Sequence, residues 1–219
     1  PYFWLNSGGQ MPIKDGVGMT LHGDMTAIHK WRLAYAASSL IDTDEGYHPQ
    51  NLFRLITKSE WENVRLEALF KIDKDNLSLS ENRNSSNGLL LMSRYKDDDN
   101  LYYAGLRVDG HAVIKKKSGG TYYTLAEKAV FPSVYDLTSN PNLLPHNEWI
   151  ALRSETTTID GDVLVRLFYR RGSENRWTEL LSATDTGASG GAPLSGKGYV
   201  GIRTDFMDVS FDSFRAQTI

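Results

Sequence analysis

"NLYYAGLRVDGHAVIKKK" (residues 100–117) sets two alternating runs on either side of an Asp-Gly pair. In the first run Tyr102, Ala104, Leu106 and Val108 share one strand face and Tyr103, Gly105 and Arg107 share the other, because successive strand side chains point to opposite sides. After the pair, His111, Val113, Lys115 and Lys117 alternate with Ala112, Ile114 and Lys116. Asp-Gly between two such runs is the strongest short hairpin signal, since a type I′ turn needs positive φ at both central residues. The stretch predicts an antiparallel hairpin with one core-like face and one face of Tyr, Arg and Lys.

The same period-two pattern recurs along the chain. In "VRLEALFKI" (64–72), Val64, Leu66, Ala68, Phe70 and Ile72 oppose Arg65, Glu67 and Lys71, the signature of a half-buried strand. Strands are read likewise at 31–36, 51–58, 88–95, 149–155, 163–170 and 199–204, and no helix longer than a turn or two is expected. A second Asp-Gly at 160–161, a Gly-Gly at 119–120 and the polar stretch "SLSENRNSSNG" (78–88) punctuate them. A dozen or so strands joined this way predict an all-β fold, an antiparallel two-sheet β-sandwich or jelly roll, filling residues 1–219 as a single domain. One echo stands out: "AGLRVD" (104–109) and "VGIRTD" (200–205) share Gly, apolar, Arg, any residue, Asp, as two strands in equivalent places of one curved sheet would.

Composition narrows the function. A hydrophobic fraction of 40% supports a real core, while a net charge of −3 lacks the basic excess that phosphate neutralisation demands, so no nucleic-acid partner is expected. The absence of cysteine excludes thiolate chemistry, disulfides and cysteine-based zinc sites. No apolar run reaches the roughly 18 residues of a membrane span. The chain opens on Pro1 without a signal-peptide pattern, which points to a processed mature form or a domain cut from a larger multidomain protein, placed outside the cell or on its surface.

The series from Gly88 to Glu127, followed by "NEWIALRSE" (147–155) and "GYVGIRTDFMDVSFDSF" (198–214), resembles the concanavalin A-like lectin and glucanase superfamily. There a strand ends in Arg-Tyr, an acidic turn leads to a Tyr-rich strand and an Asp-Gly hairpin, and the last strand carries Asp-x-Phe-Asp-x-Phe or close to it. The resemblance implies a polysaccharide partner without implying a reaction. The Glu-x-Asp-x-x-Glu strand of its laminarinase-like glycosidases is absent. "YYAG" (102–105) is similar to the tyrosine strand of jelly-roll alginate lyases but has Tyr103 where their lysine stands, and their Gln-x-His strand is missing.

From the residues, a concave face bearing Tyr103, Arg107, Lys115 and Arg94, flanked by Lys117, would offer an aromatic surface to a sugar ring and cations to a carboxylate or sulfate. The alternative is that these charges simply solvate one side of a sheet. "EGYHPQNLFR" (45–54) places His48, Gln50 and Arg54 at a loop-to-strand transition. β-Elimination from a uronic acid needs a cation or amide on the carboxylate and a His or Tyr to move the proton, so His48, Tyr103 and Arg107 are the catalytic candidates and Gln50 and Arg54 further ligand contacts. The other histidines show no metal-ligand spacing, and "KDDDN" (96–100) lacks the Gly and distal Glu of an EF-hand. No cofactor is required; the resemblance implies a structural calcium near Asp208 and Asp212.

Three function classes follow: a module that recognises an anionic polysaccharide, a polysaccharide lyase on the same face, and a surface or adhesion domain that contacts protein. A lyase needs Tyr or His and a carboxylate-neutralising group in one open cleft, a module needs an aromatic platform, and a protein-contact domain needs a large exposed apolar patch.

Overall fold

The structure, a computed structural model, describes residues 2–7 and 9–219. In chain order its elements are β1 (Phe3–Leu5), β2 (Ile13–Lys14), β3 (Val17–Met19), α1 (Lys30–Ser38), β4 (Leu52–Trp61), β5 (Val64–Asp75), β6 (Gly88–Asp97) and β7 (Asn100–Arg107). They continue with β8 (His111–Ser118), β9 (Thr121–Ala129), β10 (Ile150–Ile159), β11 (Asp162–Arg171), β12 (Thr178–Asp185), β13 (Gly198–Asp205) and β14 (Met207–Thr218). Every ladder between these strands is antiparallel, and they form two seven-stranded sheets, β1-β4-β13-β6-β7-β8-β9 and β12-β11-β10-β5-β14-β3-β2.

Alternation builds the core between the sheets. Phe53 and Leu55 of β4, Leu89 and Leu91 of β6, and Tyr102, Ala104 and Leu106 of β7 meet Leu66 and Phe70 of β5, Leu152 of β10 and Val163, Val165 and Leu167 of β11 in one buried cluster. The first sheet is apolar on its outer side too: Ile56, Leu90, Met92, Leu101 and Val113 are buried there beneath Tyr95, Tyr103, Trp4 and Tyr199. A strand face that meets only water is polar; this one keeps a floor of aliphatic side chains under a layer of aromatic rings.

The turns follow the glycine chemistry with one difference. At Asp160-Gly161 both φ values are positive (52° and 93°), as a type I′ hairpin requires. At Asp109-Gly110 only Gly110 is positive (81°), and its N–H donates to the Arg107 carbonyl at 2.9 Å. The hairpin is there, with a three-residue loop in which Gly110 takes the left-handed position, and the Asp109 carboxylate pairs with Arg107 beside it.

Residues 31–36 correct the expected strand: Lys30–Ser38 is an α-helix whose N-cap, His29, accepts the Trp31 N–H at 3.3 Å. The run "KWRLAYAAS" holds three alanines and a leucine and no β-branched residue, so helix propensity prevails over an accidental period-two pattern. None of its residues is buried, and Leu33 stays exposed together with the flanking Ile28, Leu40 and Ile41. Among the described residues no helix is long and apolar enough to cross a membrane.

Candidate functional site

The register of the first sheet lays down the site row by row. One row across its outer face runs Arg54 (β4), Arg203 (β13), Leu90 (β6), Gly105 (β7), Val113 (β8) and Glu127 (β9). The next runs Ile56, Gly201, Met92, Tyr103, Lys115 and Thr124 on the same strands. At Gly105 the floor is bare backbone, and a Cβ there would lie 2.1 Å from the Leu89 carbonyl oxygen, so only glycine lets β6 and β7 approach this closely. A cavity of about 500 Å3 follows these rows, between Tyr103, Lys115 and Tyr122 on one side and Asn82, Asn84, Ser86 and Asn87 on the other. Its size falls in the range of small-molecule sites.

The loop wall is tied together by its own hydrogen bonds. Asn84 N–H donates to Asn87 Oδ1 at 2.6 Å, Ser86 N–H to Asn84 Oδ1 at 2.9 Å, and the Asn87 amide to the Asn82 carbonyl at 3.1 Å. Asp42 anchors the segment by accepting from Ser80 at 2.5 Å and Asn82 at 2.9 Å. Short polar side chains bonding to nearby backbone are how Asn- and Ser-rich segments hold a fixed non-repetitive shape.

Opposite that wall the groove is aromatic and cationic. The Tyr103 and Tyr122 rings stack with centroids 6.1 Å apart, and the ammoniums of Lys115 and Lys117 sit 6.0 Å and 5.2 Å from the Tyr122 ring. Arg203 donates to Asp205 at 2.7 Å and to the Tyr103 hydroxyl at 3.0 Å. Burial pushes the Tyr103 hydroxyl up to about 12, with the Arg203 guanidinium pulling the other way. Burial is also the main cause that lowers the Lys115 ammonium below the usual lysine value, with Arg107 adding repulsion.

Ion pairing separates these cations. Arg54 forms a fork with Asp98 (2.7 and 3.1 Å), Arg107 is held by Asp109 and by Glu127 at 2.8 Å, and Lys117 pairs with Asp99 at 3.2 Å. Lys115 lines the cavity and forms no ion pair with any described residue.

Of the residues singled out in the sequence, Tyr103, Lys115 and Arg54 line the groove. Arg107 and Lys117 sit beside it, on the Glu127 and Tyr122 sides, and are engaged by their carboxylates. Arg94 is not on that face: it has φ 50° within an irregularity of β6, and its fully buried side chain points inward to Thr158 (2.9 Å), Asn63 and the Gly196 carbonyl. An irregularity breaks the alternation, which is why counting by twos misplaces it. Gln50 is buried, accepting the Leu21 N–H at 2.6 Å and donating to the Gln10 carbonyl at 2.8 Å. His48 lies outside the cavity, between Asp24 (2.9 Å) and Asp44 (3.2 Å), so the trio with Tyr103 and Arg107 is not assembled.

Asp208 and Asp212 have separate surroundings. The buried Asp208 carboxylate takes the Gly23 N–H at 2.9 Å and the Asn76 amide at 3.2 Å, while Asp212 is exposed and accepts the Ser213 N–H. Among the described residues no group of three or more His, Asp or Glu side chains is arranged to hold a metal.

Sequence reasoning missed Arg203, Asp205 and the asparagine wall, and assigned no site role to Tyr122, a surface aromatic after the Gly-Gly turn. The echo was the available signal: Arg107-Asp109 and Arg203-Asp205 form the same pair two residues apart, on strands that flank β6 on either side.

No protein-family model matches the chain, and no curated protein sequence matches it. Solved structures do. The carbohydrate-binding module CBM66 from Bacillus subtilis superposes with a TM-score of 0.57 at 12% identity, covering 99% of this chain and 95% of that one. The VIP36 exoplasmic/lumenal domain in its Ca2+/Man-bound form gives 0.55 at 9% identity, covering 100% and 84%. Winged bean acidic lectin complexed with methyl-α-D-galactose gives 0.51 at 14% identity, covering 99% and 93%. The chain has a concanavalin A-like jelly-roll fold.

Proposed function

We propose that the chain is a carbohydrate-recognition domain that binds an anionic polysaccharide in the outer groove of its first sheet, outside the cell or on its surface. The observation that carries this is Lys115, a half-buried cation with no ion-pair partner among the described residues, beside the stacked Tyr103 and Tyr122 rings and across the cavity from a wall of asparagine amides. A sugar ring presents C–H groups that pack on an aromatic face, hydroxyls that pair with amides, and, in a uronic or sulfated unit, an anion for an ammonium. The other nearby cations already have carboxylates, so the acidic group of the ligand belongs at Lys115. The fold is compatible with this reading, since CBM66, VIP36 and the winged bean lectin are carbohydrate-binding by their descriptions.

A lyase reading has one observation in its favour: a tyrosine hydroxyl, Arg203 and Lys115 share one cavity. A Tyr103 pushed up to about 12 is a proton donor near neutral pH and a poor base, and His48 is elsewhere, which weighs toward binding without cleavage.

The test is electrophoresis through gels containing alginate, pectin, a sulfated galactan or a neutral glucan, with absorbance near 235 nm followed in parallel. Retardation by an acidic polymer, lost in Tyr122→Ala and without an absorbance rise, is expected. Free migration in every gel would refute recognition, and a rise at 235 nm would replace it with β-elimination.

A further inference from the structure

The three lysines that end β8 part company. Lys115 and Lys117 lie on the outer face, whereas Lys116 points between the sheets and is fully buried. Its ammonium meets Asp185 of β12 at 2.9 Å, and Asp185 is itself 1% exposed, so a buried ion pair joins the two sheets. Three backbone carbonyls complete the surroundings: Gly191 at 2.7 Å, Ala192 at 2.8 Å and Ser189 at 3.2 Å. Asp185 also accepts the Tyr102 hydroxyl at 2.5 Å and the Gly187 N–H at 3.0 Å, and Tyr102 in turn accepts the Leu194 N–H at 2.9 Å.

One carboxylate and three carbonyls around one positive centre are the donors a hard cation takes. The carbonyls come from the loop between β12 and β13, "TGASGGAPLSGK" (186–197), where Gly187, Gly190 and Gly191 have φ of 86°, 70° and 76°. Only glycine adopts that backbone readily, and it lets successive carbonyls turn toward one point. So glycine-rich a loop loses much conformational freedom on ordering and needs an anchor. Gly190 packs against Tyr123 of β9 so closely that a Cβ would stand 2.5 Å from the ring.

We propose that Lys116 is a tethered cation: its ammonium fills an oxygen site of the kind that otherwise takes a free ion, and by filling it orders the 186–197 loop against β8 and β9. Cutting the side chain back then leaves a site for a small cation from solution. Lys116→Met fills the space without charge, while Lys116→Ala opens it. Both are expected to lower Tm by roughly 6–20 °C, as loss of one partner of a buried pair does in a chain of this size. Titrating methylammonium chloride or calcium chloride, against tetraethylammonium chloride, whose cation is too bulky for the site, at equal ionic strength, is expected to restore Tm and loop resistance to proteolysis in Lys116→Ala but not in Lys116→Met. Equal response of the two variants, or none in Lys116→Ala to either cation, would overturn the proposal.

Should the variants fail to fold, amine acetylation of the native protein decides it by mass spectrometry. Lys116 is expected to stay unlabelled while the exposed Lys74 reacts; labelling at the Lys74 rate would overturn the buried-cation role. No glycan enters any of these measurements, so they stand apart from the groove.

Discussion

Replacing Lys115 by methionine keeps an unbranched apolar stem, one atom shorter, and removes the ammonium group. Burial around Lys115 makes its charge expensive in the free protein, and among the described residues no carboxylate pairs with it directly, Glu127 and Asp109 acting only at longer range. A ligand carboxylate or sulfate would do so. A hydrogen bond to a charged group contributes about 1.5–3 kcal/mol, so Lys115→Met should weaken binding of an acidic glycan by about 10- to 150-fold. Lys117→Met is the internal control: Lys117 also approaches the Tyr122 ring but is paired with Asp99, and its loss should change affinity by about twofold or less. The pH dependence has a definite sign. A lysine whose value is lowered is charged at low pH and loses its proton earlier as pH rises, so wild-type affinity should start to fall below the ordinary lysine value of about 10.4. Calorimetric titration of wild type and both variants with acidic oligosaccharides reads all of this. Equal losses in the two variants would replace a specific subsite with a diffuse field of charge, and unchanged affinity in Lys115→Met would refute the assignment.

Three further outcomes follow from the geometry. Arg203→Met strands the buried Asp205 carboxylate and should destabilise the fold by about 3–5 kcal/mol in urea unfolding; a loss under ~1 kcal/mol would mean the pair is solvated. Gly201→Ala forces a Cβ to within 2.1 Å of the Leu55 carbonyl oxygen, so β4 and β13 must separate, at a cost of about 1–3 kcal/mol seen as a lowered Tm. His146 is raised chiefly by its hydrogen bond to Asp75, and a raised histidine contributes stability that is complete below about pH 6.5 and fades as pH climbs through its folded value. His146→Gln should therefore cost more stability at pH 5.5 than at pH 9, and an equal cost at both would show that the pair adds nothing pH-dependent.

The sandwich was legible because its strands obey the period-two rule over long runs: "VRLEALFKI" buries Val64, Leu66, Ala68, Phe70 and Ile72 as the pattern requires. The rule fails where something local overrides it. Alanines turn 30–38 into a helix, and an irregularity with a left-handed residue swings Arg94 inward. The groove was half legible. Tyr103 and Lys115 were readable because they lie within one hairpin, where neighbours in sequence are neighbours in space. Arg203 and Asp205 come from β13, which reaches the site only by inserting between β4 and β6, an order that no local pattern reveals. Lys116 was hidden more thoroughly still, since its partner Asp185 belongs to the other sheet and three lysines in a row read as solvated charge.

The proposed seat of the glycan is the groove between the Tyr103–Tyr122 stack and the asparagine loop. Backbone amide shifts recorded while the protein is titrated with an acidic oligosaccharide test it most directly. The largest changes are expected at Asn84, Asn87, Tyr103, Lys115, Tyr122 and Arg203, with the outer face of the second sheet, around Arg153 and Trp177, unmoved. Saturable changes centred on Arg153 and Trp177, with the groove silent, would contradict it.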